Sequence, residues 1–337
     1  MAFNITLQPS GLQFAAAEDR TILEAAEDAG ISLPCGCRSG NCGTCKGRLT
    51  EGNVERGSED ALALTEAEHA AGFTLLCGAK PRSDAVIEVT DAVRGVATRK
   101  FLSRIASMER VAPDVLAVTL KLQSPESFDF RAGQYIELLF KDGERRAFSL
   151  ANAPHDKGQI QLHIRLVEGS FATRMFTEVL KVRDLLRFRG PLGSFHLNDD
   201  STKPIIMLAG GTGFAPIKAI LDDMAHQGIR REVHLYRGAR DRAGLYLPQL
   251  PKQWAEAMPH FTHVPVLSDP VPADSWDGRP GLVHQAVLED FADMSGFEVY
   301  ACGAMAMVEA AHREFSARGL PSDAFFADAF TPAAKKQ

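Results

Sequence analysis

The sequence has no long apolar run. Nothing in its 337 residues approaches the about 20 consecutive apolar residues of a membrane-spanning helix. It opens Met-Ala-Phe-Asn-Ile-Thr-Leu, with no basic segment leading into an apolar one, so a cytoplasmic protein without a signal peptide is expected. There is no excess of basic residues: 37 Lys and Arg stand against 43 Asp and Glu, a net charge of −6. That balance argues against nucleic-acid binding. Internal repeats and low-complexity segments are lacking as well. Cysteine is nearly absent beyond the first quarter of the chain, where Cys302 stands alone.

The cysteines that are present crowd together. Cys35, Cys37, Cys42 and Cys45 fall within eleven residues, and Cys77 follows. Cytoplasmic chains rarely spend such a cluster on disulfides, so metal or redox chemistry is the better reading. Cys37-x4-Cys42-x2-Cys45 with a distant Cys77 is the plant-type [2Fe–2S] spacing. Gly36, Ser39, Gly40, Gly43 and Thr44 are small, which lets the backbone approach a cluster and donate N–H bonds to its sulfurs. Tetrahedral zinc is the alternative, but zinc ribbons pair two short Cys knuckles, whereas here three ligands share one loop and the fourth is remote. Cys35 is left out of the ligand set. Residues 1–92 contain 14 acidic and 7 basic residues, so this segment alone carries −7, either as a solvated surface or as a docking face for a basic partner.

The pattern divides the chain into three. Residues 1–92 give a hairpin, a helix from Thr21 to Ala29, a strand from Lys46, a capping box at Thr65 and Glu68, and two short strands, which is a β-grasp order. A linker is expected over 93–100. Residues 101–199 are dense in short β-runs with one helix from Ala172 to Leu180, as in an antiparallel β-barrel. Residues 200–337 alternate strands and helices and predict a doubly wound α/β sheet. The chain is thus multi-domain, combining α+β, β-barrel and α/β parts.

In the middle part, Arg146-Ala147-Phe148-Ser149 lies on a predicted strand, with Arg146 and Phe148 on one face, a pairing that suits a phosphate beside a flat ring. His163, Ile164 and Arg165 precede Gly169-Ser170-Phe171-Ala172-Thr173, a glycine loop opening a helix whose free N–H groups suit an anion. In the third part, the apolar run over 204–209 leads into Gly210-Gly211-Thr212-Gly213 and a helix containing Pro216. A glycine turn between a buried strand and a helix suits a dinucleotide. Arg240 and Arg242 follow the next strand, where the adenosine ribose is met.

Together these motifs resemble the ferredoxin–NADP reductase superfamily, and the domain order resembles its benzoate dioxygenase reductase group. The resemblance implies that Arg146 binds FAD phosphate, Phe148 packs on the isoalloxazine and Ser149 lies near flavin N5. Phe148 stands where the family usually has Tyr, and Ala172 where its pyrophosphate loop has Ser, with Thr173 adjacent. Gly-Gly-Thr-Gly-x-x-Pro over 210–216 is similar to the family's nicotinamide turn. The Cys302-Gly303…Met307 pattern implies a thiol beside the nicotinamide C4. Phe330 is implied as the aromatic that covers the flavin until nicotinamide displaces it. The activity implied is an NADH-dependent (NADPH as the second choice) iron–sulfur flavoprotein reductase. Its electrons pass from NADH to FAD to [2Fe–2S] to a protein acceptor, a Rieske-type oxygenase component or a sugar dehydrase. A monomer is expected, with no membrane and no nucleic-acid partner. A non-catalytic redox or zinc-binding protein is the alternative.

Overall fold

The computed structural model describes all residues except 36, 37, 39, 41, 42, 58–62, 90, 91, 95–97, 125–127 and 331–337. Contacts divide it into two compact units, Met1–Lys100 with Arg189–Ser194, and Phe101–Phe188 with Phe195–Phe330.

The first unit is built on a five-stranded sheet. Its strands are β1 (Ala2–Gln8), β2 (Gln13–Ala17), β3 (Lys46–Glu51), β4 (Phe73–Leu75) and β5 (Ala85–Glu88), in the order β2-β1-β5-β3-β4. β1 pairs antiparallel with β2 and parallel with β5, the mixed sheet of a β-grasp fold. Alternation places Ile5 and Leu7 inward, both fully buried against Ile22, Leu23 and Ala26 of helix α1 (Ile22–Asp28). Thr21 and Glu24 form a reciprocal capping box that starts α1, and Thr65 with Glu68 does the same for α2 (Glu66–Ala70). Such a cap contributes about 1 kcal/mol. Part of the stretch expected as linker is not free chain: Val93–Arg94 pairs with Ile31–Ser32.

The second unit contains both remaining folds. β6 (Arg99–Ala112), β7 (Val115–Leu122), β8 (Tyr135–Leu139), β9 (Arg145–Ser149), β10 (Gln159–Arg165) and β11 (Leu185–Leu192) form a sheet in the order β9-β8-β11-β6-β7-β10. An isolated bridge between Leu150 and Leu162 brings its two edges together, which closes the barrel. Ile160, Leu162 and Ile164 of β10 fill the interior. The intervening positions Gln161, His163 and Arg165 therefore point outward. The one helix, α3 (Phe171–Arg174), continues as a π-helical turn over Met175–Val179.

β12 (Ile205–Gly210), β13 (Val233–Ala239), β14 (Phe261–Leu267), β15 (Arg279–Pro280), β16 (Glu298–Ala304) and β17 (Phe325–Phe330) make an all-parallel sheet, ordered β15-β14-β13-β12-β16-β17. Helices α4 (Phe214–Gln227), α5 (Leu250–Ala257), α6 (Val283–Asp290) and α7 (Met305–Ser316) belong to this sheet's domain. Burial on both faces explains the unbroken apolar run of β12. Strand order reverses at β12, between β13 and β16, and the glycine turn leaves from that switch point. β13 runs three residues past Tyr236, α4 begins two residues before Pro216, and the aromatic tail is a paired edge strand.

Candidate electron-transfer sites

The cluster site is described in part. Cys37 and Cys42 lie outside the described residues. Cys45 is buried and Cys77 half-buried, and both pack with the core of the first unit. Cys45 sits just before β3 and Cys77 two residues after β4. Pairing of Lys46 with Leu75, and a bond from Leu76 N–H to the Cys45 carbonyl (3.0 Å), make them neighbours despite 32 residues of separation. Arg38, Gly40 and Gly43 all take left-handed backbone (φ +56°, +80° and +73°). Soft thiolate ligands brought together in this way fit a [2Fe–2S] cluster. Arg38 is held by the buried carboxylate of Glu27, which also pairs with Arg189 at 3.2 Å. Cys35 is buried in the core.

The two flavin segments meet in the second unit. The Arg146 guanidinium lies 4.8 Å from the Phe171 ring centroid and is 2.6 Å from Glu144. Phe148 packs edge-on against Phe176 at 6.1 Å. Ser170 caps α3 by accepting from the Thr173 N–H at 3.1 Å. The Thr173 hydroxyl donates to the Val167 carbonyl at 2.8 Å, so it is engaged within the loop. A Cβ on Gly169 would meet nothing within 4 Å, which leaves open space in front of the helix start. A cation beside that space fits a flavin pyrophosphate. Ala147 is exposed, Ala172 is half-buried, and Ile164 is buried in the barrel, so only its backbone is available to a cofactor. Three residues along β9 from Arg146, or about 10 Å, stands Ser149.

Ser149 is where barrel and parallel sheet join. Its hydroxyl donates to Asp328 Oδ2 at 3.1 Å, and the Cys302 Sγ lies 4.0 Å from the same oxygen. The register explains this: Cys302 pairs with Ala209 on one side and Asp328 on the other. All three side chains are buried. Burial, and secondarily the Asp328 carboxylate, push the Cys302 thiol well above its ordinary range, so it is a neutral thiol and not a nucleophile.

The glycine turn packs onto the same place. A Cβ on Gly213 would lie 2.1 Å from the Cys302 carbonyl oxygen. One on Gly210 would lie 2.7 Å from Met307 Sδ, and one on Gly303 2.9 Å from Met307 Cε. Gly210, Gly213, Gly303 and Met307 are thus a single close-packed unit, with Thr212 and Pro216 buried beside it. Arg165, expected only near the flavin, is also against this turn. Its Nη1 lies 2.6 Å from where a Gly211 Cβ would be, and Asp114 holds it at 2.7 Å. Phe330 ends β17 opposite Ala304 and packs against the core that includes Cys302. Arg240 is exposed past β13, while Arg242 is tied to Asp274 through its backbone N–H (3.2 Å) and guanidinium (3.0 Å).

Two buried residues of this region escaped the sequence reading, Asp328 and Arg237. Asp328 sits in an aromatic-rich tail, and only its pairing with Cys302 reveals it. Nearby, His163 Nδ1 is 3.0 Å from the Tyr246 hydroxyl, and its Nε2 has no hydrogen-bond partner among the described residues. Burial, reinforced by the Lys218 and Arg237 charges, holds His163 down at about 3, so the ring is neutral.

Three family models cover the chain: the 2Fe-2S iron–sulfur cluster binding domain over 5–82, the oxidoreductase FAD-binding domain over 103–197 and the oxidoreductase NAD-binding domain over 207–313. A CDP-6-deoxy-L-threo-D-glycero-4-hexulose-3-dehydrase reductase of Yersinia pseudotuberculosis is 39% identical over 98% of this chain and 99% of its own length. The chain belongs to the iron–sulfur flavoprotein reductases. A terephthalate 1,2-dioxygenase reductase component of a Comamonas species is 37% identical over 98% of both chains. Among solved structures, the Amycolatopsis cytochrome P450 reductase GcoB superposes with a TM-score of 0.85 at 34% identity, over 98% of this chain and 100% of that one. As a member of this family the chain is an NADH-dependent oxidoreductase with [2Fe–2S], FAD and NAD-binding domains. No helix among the described residues is long and apolar enough to cross a membrane.

Proposed function

We propose that this reductase draws electrons from NADH and delivers them singly, through its N-terminal cluster, to a separate acceptor protein. That acceptor is a dehydrase of 3,6-dideoxysugar synthesis or an oxygenase component, since relatives of both kinds span the full chain. The observation that carries the reading is the meeting of Ser149, Asp328 and Cys302 beside the glycine turn. Bound FAD supplies the conversion of a two-electron hydride donor into single electrons. Within the chain, Arg146 and the start of α3 hold the flavin phosphates, and Cys37, Cys42, Cys45 and Cys77 hold the cluster. Gly210, Gly211, Thr212 and Gly213 receive the dinucleotide. The neutral Cys302 thiol orients the nicotinamide. Ser149 and Asp328 form a hydrogen-bonded pair at the reacting end, in which Ser149 donates and the carboxylate accepts. Phe330 shields the site until the nicotinamide enters. NADH is preferred over NADPH because Arg242 is already committed to Asp274, leaving Arg240 as the cation for a 2′-phosphate. The protein acts in the cytoplasm as a monomer.

The test is reduction of ferricyanide by the purified, cofactor-loaded chain with NADH or NADPH, followed by reconstitution with a sugar dehydrase and with an oxygenase component. NADH-driven turnover by one acceptor is expected. Dye reduction with neither nucleotide would overturn the reading.

A further inference from the structure

Two arginines are buried among the described residues, Arg189 and Arg237. Arg189 pairs with Glu27. Arg237, only 2% exposed, has no carboxylate within 4.0 Å among the described residues. Its guanidinium lies 3.6 Å from the Phe214 ring centroid and 4.9 Å from that of Tyr246, and it donates to the Tyr246 carbonyl. Two ring faces and a carbonyl offset part of the cost of burying a charge, but they do not neutralise it.

The titratable groups around it do not neutralise it either. His163 is held neutral, and burial, aided by Arg237 itself, pulls His263 down to about 4. The Tyr246 hydroxyl is raised by burial and stays protonated. Lys218 is a second cation, paired with Asp222 at 2.8 Å. Arg237 itself is lowered by burial only to about 10, which leaves it charged at neutral pH. Among the described residues the region is therefore net positive, and the rings and carbonyl offset only part of the cost.

Its place shows what the charge serves. Arg237 pairs across the sheet with Ala209, and the next residue, Gly238, pairs with Gly210, where the glycine turn begins. Cys302 also pairs with Ala209 on the far side, so two strand spacings, about 10 Å, separate Arg237 from the thiol. The cation stands directly behind the turn and away from the reacting end. We propose that Arg237 is a positioning residue for the dinucleotide, a buried positive charge behind the glycine turn that draws in and holds the pyrophosphate. It acts through its field, since Phe214 and Tyr246 wall it off from solvent. This rests on the glycine turn being the dinucleotide's docking place.

The experiment uses the full chain loaded with FAD and cluster, as Arg237→Met and Arg237→Lys. NADH titrations of ferricyanide reduction separate KM from kcat, and NAD+ binding is read from perturbation of the flavin absorbance. The flavin midpoint potential is measured alongside. Arg237→Met is expected to raise KM and the NAD+ Kd about 10- to 100-fold, the range one buried charge commands over a nearby anion. kcat and the midpoint potential should hold, and the dependence of KM on ionic strength should flatten. Arg237→Lys should fall between the parent and Arg237→Met, with a deficit that deepens as pH rises, because a buried ammonium gives up its proton far more readily than a guanidinium. If the methionine variant does not load FAD, Arg237→Gln serves the same purpose. Unchanged KM and Kd, or a shifted midpoint with unchanged KM, would overturn the proposal. Gly213→Ala separates the two levels. If that variant binds NAD+ as tightly as the parent, the docking place itself is wrong. If it loses NAD+ affinity while Arg237→Met binds normally, the docking place stands and the anchor fails.

Discussion

Gly213→Ala is the sharpest perturbation the structure offers. Gly213 has φ −59°, an ordinary helical value, so alanine brings no backbone strain of its own. The cost is purely steric. The new methyl would lie 2.1 Å from the Cys302 carbonyl oxygen, 2.4 Å from its carbon and 2.6 Å from the Gly303 nitrogen. These are backbone atoms of β16, paired on both sides, and they cannot rotate away as a side-chain tip would. Overpacking of this kind costs about 1–3 kcal/mol, and here the upper end applies. Relief requires the end of β16 to retreat by more than about 1 Å before ordinary contact distance is reached, and that end carries Cys302. A displacement of about 1 Å at a reacting centre is worth about 100-fold in rate. The expected result is therefore an about 100-fold fall in NADH-driven ferricyanide reduction, with FAD content retained and dithionite still reducing the cluster. The two assays together locate the damage at the nicotinamide end. NADH turnover at the parental rate would refute the steric reasoning.

Cys77→Ser should abolish the iron–sulfur absorbance and delivery to the acceptor while NADH still reduces the flavin, whereas Cys35→Ala should retain both absorbances. Asp328→Asn keeps an acceptor for the Ser149 hydroxyl but removes the buried charge, so stability should hold while the rate of flavin reduction by NADH changes by about 10-fold or more in stopped flow. His163 is neutral in the fold at about 3 and titrates near 6.5 when unfolded, so the unfolded chain binds the extra proton. Its stabilising contribution is complete above pH 6.5 and is lost as pH falls toward 3. By pH 5 the loss is about 2 kcal/mol, at 1.36 kcal/mol per pH unit over about 1.5 units. Thermal release of FAD fluorescence at pH 7.5 and 5.0 checks this, and His163→Gln should flatten the difference.

Much of the architecture is written locally. Capping boxes at Thr21 and Thr65, the apolar run into Gly210, and the alternation of β10 each specify one element without help from distant residues. The cysteine spacing similarly names its chemistry, because cluster ligation demands a fixed loop. What stayed hidden depends on register. Asp328 is a single acid in a stretch of Phe and Ala, and only parallel pairing of β17 with β16 sets it against Cys302. Arg237 reads as a turn residue after Tyr236 until β13 is seen to continue through it. Helix α5 escaped notice because its apolar face is short, Pro251 and Trp254 being its buried residues. Arg165 reads from its place in the chain as part of the flavin segment, and its outward direction on β10 also brings it to the glycine turn.

These placements bear on why one sheet can serve both binding and chemistry. In a parallel sheet, in-register neighbours point to the same face, so Arg237, Ala209, Cys302 and Asp328 form one row across β13, β12, β16 and β17. The cation is at one end of the row and the carboxylate at the other, about 14 Å apart across three strand spacings. An anion bound at the turn feels the arginine strongly and the carboxylate weakly, while the thiol feels the reverse. Separation along the row therefore lets affinity for the dinucleotide and the electrostatics of the reacting end be set by different residues. It follows that Arg237→Met combined with Asp328→Asn should give additive effects, the first on KM and the second on the rate of flavin reduction. A coupling above about 0.5 kcal/mol between them would mean that the row acts as one unit and that the division of labour along it is wrong.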